Sequence, residues 1–277
     1  MNPPAEPARG PADPNVIFLK LGGSLITDKA RPVTARLDVL ARLAQELAQA
    51  RAERPELRLL LGHGSGSFGH PVAAQHGTRA GAHTPEQWRG FQQVWWAAHR
   101  LHRLVLDALL QSGAPAISFP PSSHALCEGG ELIQLETEPI SRALQAGLLP
   151  VTQGDVAFDR RWGATIVSTE QIMGHLAGLL RPARVLLAGA EQGVYASYPA
   201  AGEPLQELHG EDLAGLSIGG AAEADVTGGM ADKVAWGLRL AAELPGTEIR
   251  IFSGAVAGNL RAALEGAPLG TLIAGSG

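Results

Sequence analysis

Cysteine is almost absent from this chain of 277 residues, in which Cys127 is the only one. A single thiol cannot form an intramolecular disulfide, so the sequence excludes a disulfide-stapled fold and fits a reducing compartment such as the cytoplasm. Charged residues are sparse, at 18%, and the formal net charge is −5. This balance gives no sign of a surface that binds polyanions, so we do not expect a nucleic acid partner.

Long apolar runs are also absent. No segment approaches the roughly 20 apolar residues that a membrane-spanning helix needs. Hydrophobic residues make up 45% of the chain, an ordinary share for a globular core. We therefore expect a soluble protein without a membrane partner. The first fourteen residues lack the basic start and apolar stretch of a signal peptide and are rich in Pro and Ala, so we predict a disordered extension over residues 1–14.

Short apolar segments alternate with helical patterns along the rest of the chain. Val16 to Leu21 and Leu57 to Leu61 are nearly continuous apolar runs of the kind found in buried parallel strands. A helix is predicted between them, because leucines recur at helical spacing over residues 37–47, and a long helix is predicted from Pro85 to Gly113. Further strands are predicted at 114–119, 148–152, 184–188, 248–252 and 271–273, further helices at 141–147, 170–180, 231–243 and 258–265, and hairpins at 156–167 and 195–208.

The alternation of strands and helices indicates an α/β fold. It predicts a mostly parallel sheet covered by helices on both faces. We expect one continuous sheet, shared by an N-terminal lobe over residues 15–165 and a C-terminal lobe over residues 166–277. Ligands of such sheets bind at the carboxyl ends of the strands, so functional residues are expected at that edge.

Glycine-rich segments follow the first two predicted strands. These segments are Lys20-Leu21-Gly22-Gly23-Ser24 and Gly62-His63-Gly64-Ser65-Gly66. Glycine lets backbone N–H groups approach an anion closely, and a following helix adds its dipole. One such loop could be only a tight turn, but two at strand ends, one of them with a lysine, predict a phosphate site. The chain has no P-loop motif, and the dinucleotide-binding pattern fails where Ser67 replaces a glycine.

Read together, the motifs resemble the amino acid kinase family and, within it, the isopentenyl phosphate kinases. The segment from Lys20 to Ser24 resembles the phosphate-holding signature of the wider family. Ile26-Thr27-Asp28-Lys29 and the segment from Gly64 to Pro71 resemble the isopentenyl phosphate kinases in particular. Further matches follow in the same order at Gly154-Asp155, at Asp225 to Met230 with Lys233, and at Gly270 to Ile273.

The resemblance implies both a fold and an activity. The fold would be the amino-acid-kinase fold, a three-layer αβα sandwich whose N-terminal lobe binds the phosphate acceptor and whose C-terminal lobe binds ATP. The activity would be the ATP-dependent phosphorylation of isopentenyl phosphate to isopentenyl diphosphate in isoprenoid biosynthesis, carried out by a cytoplasmic homodimer. The implied cofactor is Mg²⁺, held by ATP phosphates and water rather than by a cage of protein side chains.

The resemblance also assigns site residues. The expected catalytic residues are Lys20, Lys29 and His70. The expected acceptor-binding residues are Ser65, His70 and Gly154. The expected ATP-binding residues are Lys20, Leu21, Gly22, Gly23, Ser24, Gly66, Glu170, Gly229 and Lys233.

Three segments depart from the family pattern. Ser65 stands where a third glycine is usual, so the backbone there has to tolerate a Cβ atom. Ser168-Thr169-Glu170 replaces the usual Ser-Gly-Asp, and the segment from Gly189 to Tyr195 is less acidic than usual. The last two fall on the nucleotide side, so differences from the family are expected in the ATP contacts.

Charge governs the expected chemistry. A phosphate monoester carries about −1.5 to −2 charges near neutral pH, so its oxygen is a ready nucleophile and needs no general base. Lysines and backbone donors are needed to bring this dianion against ATP. His70 is expected to donate to the acceptor phosphate, and His63 is the alternative within the same loop.

Some alternatives stay open at this point. Trp88, Phe91 and Trp95 share one helical face and could either wall a pocket for a hydrocarbon tail or belong to the core. A fosfomycin-type phosphonate kinase would share the glycine loop and its histidine. A carboxylate or uridylate kinase of the same superfamily and a catalytically silent nucleotide sensor are the other hypotheses.

Overall fold

The computed structural model describes residues 12–197, 202–215 and 229–275. The strands within them are β1 (Asp13–Leu21), β2 (Arg58–His63), β3 (Ala116–Ser118), β4 (Ala125–Glu128), β5 (Glu131–Leu135), β6 (Leu149–Gln153), β7 (Asp155–Asp159), β8 (Gly163–Val167), β9 (Pro182–Gly189), β10 (Glu207–Leu208), β11 (Glu248–Ser253) and β12 (Thr271–Ile273). The helices are α1 (Gly23–Ile26), α2 (Leu37–Glu53), α3 (Gly66–His76), α4 (Pro85–Gln111), α5 (Glu138–Gln145), α6 (Thr169–Leu180), α7 (Met230–Glu243) and α8 (Asn259–Glu265).

Eight strands form the central sheet, in the order β10-β12-β11-β9-β1-β2-β6-β3. Neighbours from β11 to β3 are parallel, and β12 runs antiparallel to β11. The apolar run of β1 suits its central place, because Phe18 packs into one core layer while Ile17 and Leu19 pack into the other. The prediction of a mostly parallel sheet is confirmed.

Helices cover both faces of this sheet. Side chains of α5, α6 and α7 pack into the core layer on one face. Side chains of α2, α4 and α8 pack into the layer on the other face. The predicted three-layer sandwich is therefore confirmed, and each layer is closed by helices that follow the strands they cover.

Strands of both predicted lobes share the eight-stranded sheet, as expected, and four further strands form a separate sheet that was not predicted, in the order β5-β4-β7-β8. The hairpin predicted at 156–167 is confirmed as β7 and β8, which pair antiparallel up to Asp159 and Gly163. The β4–β5 pair escaped prediction because its strands have only four and five residues. The chain's one cysteine, Cys127, is fully buried in β4.

Two other predictions need correction. The hairpin predicted at 195–208 is not found in the part of the chain that the structure describes, where Glu207–Leu208 pairs with β12 instead; residues 198–201 lie outside that part. α5 begins at Glu138, three residues before the predicted start. Pro139 occupies its first turn, where the missing N–H has no intrahelical partner to lose.

Two of the predicted segment boundaries fall inside strands of the structure. β1 begins at Asp13, within the extension predicted for residues 1–14, and residues 1–11 lie outside the described residues. β8 continues to Val167, and Ser168 is the N-cap of α6. The boundary predicted after residue 165 therefore falls within β8, and the division into two lobes stays a prediction.

Candidate active site

Three glycine segments meet at the carboxyl edge of the central sheet. The N–H of Gly22 donates to the Ala188 carbonyl near the end of β9 (2.8 Å), and the N–H of Gly64 donates to the Leu21 carbonyl (3.1 Å). The N–H of Gly154 donates to the last carbonyl of β2 (3.2 Å). Backbone bonds thus join the ends of four neighbouring strands, where ligands of open α/β sheets bind.

The first two glycine loops touch backbone to backbone. A Cβ atom on Gly23 would lie 2.6 Å from the amide nitrogen of Gly66, closer than real Cβ contacts come. Gly66 has a φ of +48°, which favours glycine, and a Cβ there would lie 2.2 Å from the Thr27 hydroxyl oxygen. Both positions require glycine, so the loops form one rigid unit.

Thr27 ties this unit together. Its fully buried hydroxyl donates to the Gly23 carbonyl at 2.7 Å and accepts the Ser67 N–H at 3.1 Å. The hydroxyl therefore bridges the two loops from the first turn after β1 to the first turn of α3. The sequence placed Thr27 in a motif but gave no sign of this role, which depends on a partner 40 residues away.

Ser65 causes no strain at the position where the family usually has glycine. It is the N-cap of α3 and has a φ of −83°, an ordinary value for an L-residue. The left-handed conformation falls one residue later, on Gly66. Ser65 therefore starts an eleven-residue helix whose positive dipole end lies beside the glycine loops.

His70 and Lys29 lie on segments that contact each other. His70 is half-buried in the second turn of α3, and Lys29 is exposed on the loop that follows β1 and α1. That loop is attached to α3 because the Val33 N–H donates to the Ser67 carbonyl at 3.0 Å. The expected acceptor-side residues thus belong to one packed region, which is what the motif order predicted.

Lys20, which is buried, and Glu170, which is partly buried, form an ion pair at the sheet edge. Burial alone would raise the pKa of Glu170, but the charge and hydrogen bond of Lys20, together with the charge of Lys233, lower that pKa below its ordinary value. The carboxylate is therefore ionised at neutral pH and faces two lysines from different parts of the chain. This is the arrangement expected when Glu170 replaces the family's aspartate.

The local sequence explains why Glu170 sits there. Ser168 caps α6 in a capping box with Gln171, which fixes the start of the helix. The Thr169 hydroxyl donates to the His63 carbonyl at 2.8 Å and so fastens α6 to the end of β2. Glu170, in the first turn of α6, contacts Lys20. Each residue of Ser168-Thr169-Glu170, which differs from the family pattern, therefore makes a defined contact in this structure.

The remaining residues that we expected to bind ATP differ in how much of each could contact a ligand. Leu21 packs its side chain into the core, and its carbonyl is taken by a glycine N–H, so it offers little to a ligand. Ser24 lies in the short helix α1, and Gly229 is the N-cap of α7, which carries Lys233 in its first turns. Residues 225–228 of the predicted loop lie outside the described residues.

His63, the alternative to His70, is fully buried and faces away from any ligand space. Its Nε2 lies 2.9 Å from Nδ1 of His102, and burial lowers its pKa to about 4. His63 is therefore neutral and occupied by protein partners. Neither ring nitrogen of His63 is left to contact a phosphate, and His70 stays the predicted contact.

A cavity of about 300 Å³ opens beside this region. Its lining residues are Phe91, Gln92, Trp95, Ser122, Ser123 and Phe158. Phe91 and Trp95 of the predicted aromatic stripe thus line a cavity, whereas Trp88 packs behind, with its ring 5.4 Å from Phe91 and 6.1 Å from Phe158. Phe158 escaped prediction because it belongs to the hairpin, where nothing in the sequence distinguishes a cavity wall from a surface residue.

The described residues contain no helix long and apolar enough to cross a membrane. The same residues hold no group of three or more His, Cys, Asp and Glu side chains placed to bind a metal ion.

Comparison with known proteins agrees with this geometry. Residues 15–253 match the sequence profile of the amino acid kinase family. The chain belongs to the amino acid kinase family. Among the relatives of this amino acid kinase, the isopentenyl phosphate kinase of Methanothermobacter thermautotrophicus is 35% identical over 94% of this chain and 99% of its own length. The isopentenyl phosphate kinase of Methanocaldococcus jannaschii is 31% identical over 78% of this chain and 84% of its own length.

Solved structures give the same result for this amino acid kinase. An X-ray structure of isopentenyl phosphate kinase superposes with a TM-score of 0.78 at 32% identity, covering 93% of this chain and 99% of the other. The resemblance inferred from the motifs is therefore confirmed at the level of sequence and of fold.

Proposed function

We propose that this amino acid kinase transfers the γ-phosphoryl group of ATP to isopentenyl phosphate and so forms isopentenyl diphosphate. The observation that carries the proposal is the junction of two interlocked glycine loops with the Lys20–Glu170 ion pair, in a chain that also has a cavity with aromatic walls. The relatives that are 31–35% identical are isopentenyl phosphate kinases, which supports the same acceptor here.

The N-terminal lobe would bind the acceptor and the C-terminal lobe would bind ATP. The acceptor phosphate would lie at the start of α3, between the backbone amides that follow Gly64 and the side chain of His70. Ser65 and Gly154 would lie at the edge of this phosphate site. Lys29 would approach the transferring group from the loop packed against α3. On the nucleotide side, the first turns of α7 would bring Gly229 and Lys233 to the ATP phosphates.

Positioning and charge neutralisation would supply most of the rate. The acceptor is already a dianion near pH 7, so its oxygen can attack without a general base. The obstacle is repulsion between this dianion and ATP, which cations on both sides reduce. Glu170 would hold Lys20 in one orientation, because its carboxylate accepts a hydrogen bond from the buried Lys20 ammonium group. One well-placed donor to developing charge is worth about 3–4 kcal/mol in such sites.

Mg²⁺ would be held by the phosphates of ATP and by water, and would neutralise charge on the β- and γ-phosphates. We also propose that the enzyme works in the cytoplasm as a homodimer. Light scattering on the purified protein tests the dimer directly.

The cavity favours an isoprenoid acceptor over the other hypotheses. Three of its walls are the aromatic rings of Phe91, Trp95 and Phe158, which suit a branched hydrocarbon tail. Fosfomycin, with a three-carbon epoxide, is too short to contact all three rings. Acetylglutamate would place charged carboxylates against them. A silent nucleotide sensor would have no need of an acceptor cavity.

A coupled assay of ADP release tests the proposal. Isopentenyl phosphate, dimethylallyl phosphate, fosfomycin, uridylate and acetylglutamate would be compared at equal concentration, with the product identified by mass. We expect the highest kcat/KM for isopentenyl phosphate. The Lys20→Met variant, purified identically, controls for a contaminating kinase. A preference for fosfomycin, uridylate or acetylglutamate would refute the proposal, as would ADP release that does not depend on any acceptor.

A further inference from the structure

A chain of hydrogen bonds runs through the core beneath the second glycine loop. The Ser118 hydroxyl at the end of β3 lies 2.7 Å from Nε2 of His102 on α4. Nδ1 of His102 lies 2.9 Å from Nε2 of His63, and Nδ1 of His63 lies 3.1 Å from the Gly64 carbonyl oxygen. We call Ser118, His102 and His63 the histidine relay. It connects an edge strand, a long helix and the glycine loop.

The two imidazoles meet edge to edge. Their centroids are 5.2 Å apart and their planes differ by 24°. A nitrogen–nitrogen distance of 2.9 Å at that centroid separation requires the rings to approach along their edges rather than face to face. The contact therefore has the geometry of an in-plane N–H···N hydrogen bond.

The chemistry of the last acceptor fixes the direction of every bond. A carbonyl oxygen can only accept, so Nδ1 of His63 has to carry a proton. Because a neutral imidazole has one donor and one acceptor nitrogen, Nε2 of His63 then accepts from Nδ1–H of His102. Nε2 of His102 in turn accepts from the Ser118 hydroxyl. Burial keeps both rings neutral, since it lowers the pKa of His63 to about 4 and that of His102 to about 2.

The relay controls the orientation of one peptide unit. In a trans peptide the C=O and the following N–H point in opposite directions. A Gly64 carbonyl held toward the buried His63 ring therefore directs the N–H of Ser65 away from that ring. Because Gly64 has no Cβ atom, the backbone does not restrict the rotation of this peptide, and a hydrogen bond is needed to hold its orientation.

We propose that the histidine relay is a positioning device that holds the Gly64–Ser65 peptide with its N–H toward the acceptor phosphate. The inference rests on the proposed function, because it assigns the loop to the acceptor. A relay of this kind costs desolvation of two imidazoles within an apolar layer, where Leu59, Leu61 and Leu101 are neighbours in the same core. Full satisfaction of each ring nitrogen offsets that cost.

Nitrogen-15 NMR of the histidine side chains tests the geometry without any substrate. We expect both relay histidines to be in the Nδ1–H tautomer at pH 7, which is the minor tautomer of free histidine. Assignment comes from the His63→Gln and His102→Gln spectra. An Nε2–H tautomer or a charged ring at either position would overturn the proposal.

Kinetics test the consequence for the acceptor. His102→Phe keeps a ring of similar size but removes both bonds, and Ser118→Ala removes the outer bond with little change in packing. We expect kcat/KM for the acceptor to fall about tenfold or more in His102→Phe and by less in Ser118→Ala, with KM for ATP unchanged. His102→Gln should recover part of the loss, because an amide can both donate and accept.

A matched control separates positioning from general stability. Val105→Ala lies one turn further along α4 in the same core layer and should lower Tm without changing the kinetic constants for either substrate. If His102→Phe fails to fold, Ser118→Ala carries the kinetic test. Unchanged acceptor kcat/KM in the folded relay variants would overturn the proposal. A wild-type enzyme inactive on isopentenyl phosphate would instead refute the proposed function, and the tautomers would still be measurable.

Discussion

Replacement of Phe158 by alanine should widen acceptor specificity. Phe158 lines the cavity, its ring packs 5.4 Å from that of Phe91, and half of its surface is exposed. Truncation would lengthen the cavity toward solvent without opening the core. We expect geranyl phosphate, which has five more carbons than isopentenyl phosphate, to gain kcat/KM relative to the shorter acceptor.

The magnitude follows from burial. Full burial of five more carbons would be worth about 4 kcal/mol at roughly 0.8 kcal/mol per methylene. Since the wall is half exposed, about half of this is available, or about 2 kcal/mol, which corresponds to about 30-fold in the ratio of the two kcat/KM values. The loss of stability should be about 2 kcal/mol, below the roughly 3–5 kcal/mol for a fully buried phenylalanine.

The assay compares both acceptors on the same protein preparations and measures unfolding by denaturant. Phe252→Ala is the matched control, because Phe252 is 1% exposed in the core of the sheet. It should lose more stability than Phe158→Ala with no change in the acceptor ratio. A folded Phe158→Ala enzyme whose ratio equals that of the wild type would refute the assignment of this cavity to the hydrocarbon tail.

Three further predictions follow from the site. His70→Ala should lower turnover about 100-fold with unchanged ATP affinity by calorimetry, and near-normal turnover would remove His70 from the acceptor site. Lys29→Met should lower kcat much more than it raises either KM, because a contact to the phosphoryl group being transferred strengthens in the transition state. A change in KM alone would contradict this prediction. Acidification from pH 6.5 toward pH 4 should lower the free energy of unfolding by up to about 1.4 kcal/mol per pH unit for each relay histidine. In this pH range the histidines of the unfolded chain bind protons, whereas the buried rings of the folded chain, flanked by Asp155, His99 and Lys20, stay neutral. Urea titrations at pH 7, 6 and 5 measure this slope, which His102→Phe should reduce.

The elements that the sequence predicted well are those with local signals. β1 and β2 are continuous apolar runs because both faces of the central sheet are covered, and each ends in glycines that a parallel sheet places side by side. α4 has its proline, its capping box and its amphipathic pattern within one stretch of chain.

The features that escaped prediction depend on distant partners. His63 looked like a second phosphate ligand, because a histidine in a glycine loop gives no sign that His102, 39 residues later, will bury it. Phe158 looked like part of a surface hairpin until folding brought it against α4. The four-stranded sheet combines the predicted β7–β8 hairpin with the β4–β5 pair, whose strands of four and five residues are too short for periodicity to register.

The single cysteine has a practical consequence for experiments on this enzyme. Cys127 is fully buried in β4, and burial raises the pKa of its thiol to about 11, so almost no thiolate is present at neutral pH. Because the thiolate is the reactive form, maleimide reagents should leave the native chain unlabelled. Cysteines introduced at exposed positions such as Ala30, beside Lys29, and Glu203 would then carry fluorophores selectively. Such a labelled pair would report, molecule by molecule, whether the Lys29 loop and the nucleotide side move together during turnover.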